Sequence, residues 1–191
     1  MNRASHSIPA AVLAAACLAA ASCGGGGFKV GDEFEPGETR FFDDGVDMMK
    51  EPSKLSGQWA FDHGEELEGR VHFADLVALV EVVSVQTVRD LDGVEAKQIR
   101  VEVLETFYGD SPSRALTLHS AAESRGHALV LRHESRLSGT FVLFARFFAG
   151  EDGEIDNHFH LSPASSEVLG LVRDEVEVRV EEEEEAAAPK L

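Results

Sequence analysis

The chain has 191 residues and carries 17 Lys and Arg against 35 Asp and Glu, a formal charge of −18 at pH 7. That balance excludes nucleic acid as a partner, since every phosphate contact needs a basic side chain to displace counterions, and it disfavours adsorption to bare anionic lipid. The two cysteines, Cys17 and Cys23, both lie near the N-terminus, so a core disulfide, a thiol nucleophile and a cysteine zinc site are excluded as well.

In chain order, Arg3 precedes an apolar run from Ala10 to Ala21 with Val12, Leu13 and Leu18. This is an h-region of about 12 residues, too short to span a bilayer. It closes on Leu18-Ala-Ala-Ala-Ser-Cys23 and runs into Gly24 to Gly27. The pattern resembles the bacterial lipoprotein signal, in which small residues precede a cysteine that is diacylated and becomes the mature N-terminus. The resemblance implies a signal peptide over residues 1–22, lipidation at Cys23 and membrane attachment through acyl chains, at roughly 0.8 kcal/mol per buried CH₂. Cys17, after three alanines, is the rival acceptor, but it leaves an h-region of about 7 residues and no glycine tether. Gly24 is not the aspartate that retains such lipoproteins at the inner membrane, so the same resemblance implies the outer membrane of a bacterial cell envelope.

Residues 23–67 are poor in aliphatics, and Asp32-Glu33, Glu35-Pro36-Gly37 and Asp43-Asp44-Gly45 punctuate them like turns, which predicts a flexible linker. Its aromatics, Phe28, Phe34, Phe41, Phe42, Trp59 and Phe61, are too many for a pure spacer and are expected in part to dock on the domain. Residues 68–180 form the expected domain. Asp75 to Val88 is rich in β-branched residues and reads as the first long strand, with Glu81 marking a solvent-facing side, a bulge or a site. Leu91-Asp92-Gly93 is a hairpin turn. Ala96 to Tyr108 then alternates, Ile99, Val101 and Val103 on one face, and Ala115 to Ser120 follows with Leu116 and Leu118 inward.

Ala121 to Leu131 is ambiguous, with Ala128 to Leu131 apolar enough to pair as a strand. Thr140 to Phe148 is the most apolar stretch outside the signal and is expected to be the central strand, covered on both faces. Glu154 to Leu161 returns as the last strand, ended by Ser162-Pro163. Ser165 or Ser166 can cap a helix containing Val168, Leu169 and Val172. Beyond it, Val176, Val178 and Val180 fit a strand as well as a helix, and a helix to about Arg179 is favoured. The Glu181 to Glu185 run reads as part of a solvated acidic tail over residues 181–191.

Hairpin-ordered strands, one central apolar strand and a C-terminal helix predict a mainly β fold, a small OB-like antiparallel β-barrel, closed or nearly closed. Ala74 to Val82, Val101 to Asp110 and Arg136 to Ala145 are, in that order and spacing, similar to the core of netrin/TIMP-like OB-fold domains. The resemblance implies a barrel and no activity. The inhibitors of that family use a free N-terminal cysteine amine and several disulfides, and neither device is available here.

The strongest chemical hint is His158-Phe159-His160, which puts two imidazoles on one strand face at a spacing suited to a divalent metal. Zinc would need further ligands from His119, His127, His133, Asp156 or a neighbouring carboxylate brought close by folding. Asp152-Gly153-Glu154-Ile155-Asp156 reads as a hairpin turn, because the glycine and the last acid of a calcium loop are missing. No nucleophile elbow, P-loop or dinucleotide fingerprint occurs. The sequence therefore predicts a lipid-anchored, non-enzymatic envelope protein without a resident cofactor that binds a protein partner. A metal- or small-ligand-binding lipoprotein using His158 and His160 is the alternative.

Overall fold

A computed structural model describes residue 34 and residues 37–89, 93–149 and 155–188. Its regular elements are β1 (Gly45–Val46), α1 (Gln58–Phe73), β2 (Leu76–Arg89), β3 (Glu95–Gly109), β4 (Ala115–Ser120), α2 (His127–His133), β5 (Gly139–Ala149), β6 (Ile155–Pro163) and α3 (Ser166–Ala187), with short 3₁₀ turns at Glu38–Arg40, Pro52–Lys54 and Glu134–Arg136. The strands form one sheet in the order β1-β6-β5-β2-β3-β4, antiparallel except for the parallel β1–β6 pair.

Apart from β1, that order is the one of an OB barrel left open between its third and fifth strands. Register shifts at Val77/Ala78, Leu79/Val80 and Val82/Ser84 add twist to the β2–β3 ribbon and curl the sheet. The result is a half-barrel rather than a closed one. Its free edges approach where Asn157 Nδ2 of β6 donates to the Thr117 carbonyl of β4 at 3.1 Å.

Alternation along the strands sorts side chains onto two faces. Leu76, Ala78, Val80, Ile99, Val101, Leu118, Leu143, Phe147, Phe159 and Leu161 fill the inside of the curl. Val77, Val142 and Phe144 point outward and are covered by Leu67 and Val71 of α1, by Val168, Val172 and Val176 of α3, and by Phe41 and Phe42. The middle strands β2 and β5 are thus buried on both faces where the helices cross them, which explains the continuous apolar run of Thr140 to Phe148. Glu81 is exposed and marks the solvent-facing side of β2.

Three expectations need correcting. The fold does not begin at residue 68: Phe41, Phe42 and Val46 are buried, β1 joins the sheet and the expected boundary falls inside α1. Ala128 to Leu131 is not a strand but most of α2, whose Val130 reaches the inner core. The run Glu181–Glu185 does not leave the domain as a tail but continues α3 to Ala187. Tyr108 Oη donates to Glu183 at 2.7 Å, and Arg179 Nε donates to the same carboxylate at 2.9 Å. Ser165 caps the other end of α3, accepting from the Val168 N–H, as expected. β6 runs on through Ser162-Pro163 because Phe141 and Val142 of β5 are still there to pair with them.

Candidate functional site

Asp43, Asp44 and Asp47 flank β1, which runs parallel to β6, and β6 carries His158 and His160 on one face as expected. Parallel pairing brings the two sets together. His158 Nδ1 lies 2.9 and 3.0 Å from the two oxygens of Asp44. His160 Nδ1 lies 2.8 Å from Asp43 Oδ1, and its Nε2 lies 3.2 Å from Asp47 Oδ2. His160 is only 2% exposed. Both of its ring nitrogens face carboxylate oxygens, which only accept.

The acids are otherwise satisfied too. Asp44 has φ +54°, a left-handed conformation that aspartate tolerates better than most residues. It accepts from the Phe159 N–H at 3.2 Å and from Ser124 Oγ at 2.9 Å. Asp47 accepts from Ser162 Oγ at 2.6 Å and from the Met49 N–H at 2.8 Å. The buried Arg70 of α1 places Nη1 3.7 Å from Asp47 and donates to Glu66 and to the Phe41 carbonyl. Burial acts to raise the Asp47 carboxyl, but hydrogen bonds from His160 and Ser162 with the charges of His160 and Arg70 outweigh it, leaving about 2. Asp43 is lowered in the same way, burial opposing and His160 and Arg70 prevailing. Gly45 lets β1 pack against the turn that opens α2, since a Cβ there would stand 2.7 Å from Gly126 Cα.

Chemically this arrangement is a clasp. Residues 43–47 are fastened to β6 by histidine–carboxylate contacts, while α1 is tied to the same point through Arg70. Of the zinc ligands suggested by sequence, folding brings in neighbouring carboxylates, Asp43, Asp44 and Asp47, but not the other histidines: His119 sits on β4, His133 ends α2, and His127 bonds the Ser120 carbonyl at 2.9 Å. Among the described residues no group of three or more His, Cys, Asp or Glu side chains is arranged to hold a metal ion. His158 keeps one nitrogen, Nε2, without a hydrogen-bond partner among the described residues, and its ring clusters with Phe34 and Phe148, with centroids 4.1 and 5.2 Å away. Asp156 is paired in register with Phe148 and is not among these contacts.

Sequence reasoning found the histidine half of the clasp and missed the acidic half, which looked like turn punctuation. The signal that identifies it is Phe41-Phe42 immediately before Asp43-Asp44-Gly45-Val46-Asp47: a buried apolar pair leading into acids is not linker composition. Cys23 and the signal-like segment lie outside the described residues, as do Leu91-Asp92 and Asp152 to Glu154 of the two expected turns.

The second feature is an open groove of about 520 Å³ between α1 and α3, with Pro52 and Ser53 at one end. Trp59 and Phe61, on the first turn of α1, are 77% and 60% exposed. No helix among the described residues is long and apolar enough to cross a membrane. No protein-family model matches the chain, and a search of curated proteins returns no significant match.

Proposed function

We propose that this chain is a lipid-anchored protein of the bacterial cell envelope, attached through Cys23 in the outer membrane, and that its OB-like half-barrel binds a protein partner without catalysing a reaction. The anchor rests on the sequence pattern that closes at Cys23. The observation that carries the binding role is the exposure of Trp59 and Phe61 on one helical turn. Two large aromatics left in water on one turn, pointing to different sides of α1, are the kind of side chains that protein interfaces recruit. The charged cluster is occupied with itself, its aspartates and histidines bonding one another.

The experiment is metabolic labelling of the full chain with an alkynyl fatty acid in a bacterial host, followed by fractionation. Labelled wild-type protein in the membrane fraction, and unlabelled Cys23→Ser protein released from it, are expected. Label that persists in Cys23→Ser and disappears in Cys17→Ser overturns the assignment of the anchor. Wild-type protein without label overturns the lipoprotein reading.

A further inference from the structure

The groove between α1 and α3 has an apolar floor, made by Ala60 and Leu67 of α1 and Leu171 of α3. Two further lining residues, Gly64 and Gly170, sit inside the helices that face each other, and a Cβ added at either would meet nothing within 4 Å. Glycine inside a helix lowers its stability relative to alanine, so neither residue is explained by packing within this chain. Asp174 and Glu175 stand on the α3 side of the groove. Together with Glu68 of α1 they lack a cationic partner among the described residues. Partial burial, and then the charges of Glu68 and Asp174, push the Glu175 carboxyl up. The groove is an open trough bounded by two helices, a shape that suits a peptide chain better than an enclosed small molecule.

From the apolar floor, the open trough and the unneutralised acids beside it, we infer that this groove docks a basic amphipathic segment of the partner protein. One or two apolar side chains enter between Gly64 and Gly170, and a neighbouring lysine or arginine meets Asp174 and Glu175. The inference rests on the binding role proposed above and gives it a location and a partner chemistry. Apolar burial supplies attraction here, and a cation brought against unpaired carboxylates relieves their repulsion while favouring partners of one sign.

The test uses the full chain carrying Cys23→Ser and a fluorescent 14-residue peptide of leucines at helical spacing with lysines elsewhere, followed by anisotropy. A matched peptide with glutamate for lysine is the control. Binding of the lysine peptide, at least tenfold weaker in Gly64→Leu/Gly170→Leu although that variant melts no earlier than wild type, supports the groove. Asp174→Asn/Glu175→Gln, a surface change that leaves the floor intact, is expected to weaken binding about fivefold and flatten its salt dependence. Equal binding by wild type and both variants, binding of the glutamate peptide, or no binding overturns the inference. A photo-crosslinking residue placed in cells at Leu171, or at the exposed Phe61 of α1, separates the two levels of the reading. A crosslink at 171 that the double leucine variant loses supports both. One at 61 and none at 171 overturns the groove and leaves the binding role standing, and none at either position overturns both.

Discussion

Asp43, Asp44 and Asp47 against β6, and Glu68, Asp174 and Glu175 beside the groove between α1 and α3, are two sets of three carboxylates with opposite surroundings. In the first set every acid has a partner: His158, His160, Ser124, Ser162 or a backbone N–H. In the second, burial and the charges of Glu68 and Asp174 push Glu175 up, where Asp47 is pulled down to about 2. Carboxylates that are paired hold an ordered segment in place, and removing the pairing should loosen the fold. Carboxylates left facing one another contribute nothing to folding, and the groups that would relieve them belong to something else. The two regions therefore respond oppositely to the same kind of substitution, and that opposition can be measured.

The largest effect is expected at His160. Replacing it by alanine leaves the half-buried Asp43 and Asp47 without their shared partner, which should destabilise the protein by about 2–3 kcal/mol, the cost of losing hydrogen bonds to charged groups. Urea unfolding of the Cys23→Ser chain with and without His160→Ala measures it, and a change below about 1 kcal/mol, the level of an exposed pair, would mean that the clasp is not a buried network. His158→Ala, at a side chain about one-third exposed with one nitrogen outside the network, should cost less. Added zinc should raise the melting temperature of neither wild type nor His158→Ala, because the nitrogens of His160 are both engaged by carboxylates.

Acid should reach the clasp next. The Asp47 carboxyl ionises near 2 in the folded protein against an ordinary value of 3.8. Its folded-state value is depressed, so its contribution is present in full above 3.8 and is lost as the pH falls from there through 2. That contribution is about 2 kcal/mol, and Asp47→Asn should both lower stability at neutral pH and flatten its dependence over this window. Melting temperatures of the two proteins between pH 5 and pH 2 give the comparison.

The strands were legible because each obeys a period that its surroundings demand. Ile99, Val101 and Val103 alternate since one face of β3 meets the core, and Thr140 to Phe148 does not alternate since helices cover the outer face of β5. The α1 helix was not legible. Its fully buried face carries only Leu67 and Val71 as large apolar residues, and Gly69 leaves room for the Phe41 ring, so the apolar group that seats the helix belongs to another segment. The acidic end of α3 was misread for a similar reason. Glu183 is held by Tyr108 and Arg179, and Arg179 also donates to the Val71 and Ala74 carbonyls at the end of α1. A run of five glutamates shows none of those partners. Of the candidate site, the His158/His160 spacing was visible because two residues apart on a strand means one face. The acids were not, since β1 is two residues long and has no pattern of its own.

On the groove side the expected changes are smaller and of opposite sign. Gly64→Ala should stabilise the protein by about 0.5–1 kcal/mol, because the helix gains propensity and the new methyl meets nothing within 4 Å. A loss of stability on thermal or urea unfolding would mean that the space is already used by the chain itself and would remove the reason for reading it as a docking trough.

The smallest effect, and the one that sets the two regions directly against each other, is at Glu175. Its carboxyl is raised above the ordinary 4.5, so the folded state binds a proton there more tightly than the unfolded state does. The sign is the reverse of that at Asp47: the penalty is present in full above the raised value and is relieved as the pH falls to 4.5. Stability should accordingly rise slightly on mild acidification and then fall below about 3.8, where Asp47 begins to lose its advantage. Glu175→Gln should remove the rise and keep the fall, and Asp47→Asn should keep the rise and shrink the fall, the remainder belonging in part to Asp43. If Glu175→Gln instead abolished the fall, the acids of the groove would be the ones holding the fold together, and the division of the six carboxylates into a clasp and a docking surface would be inverted.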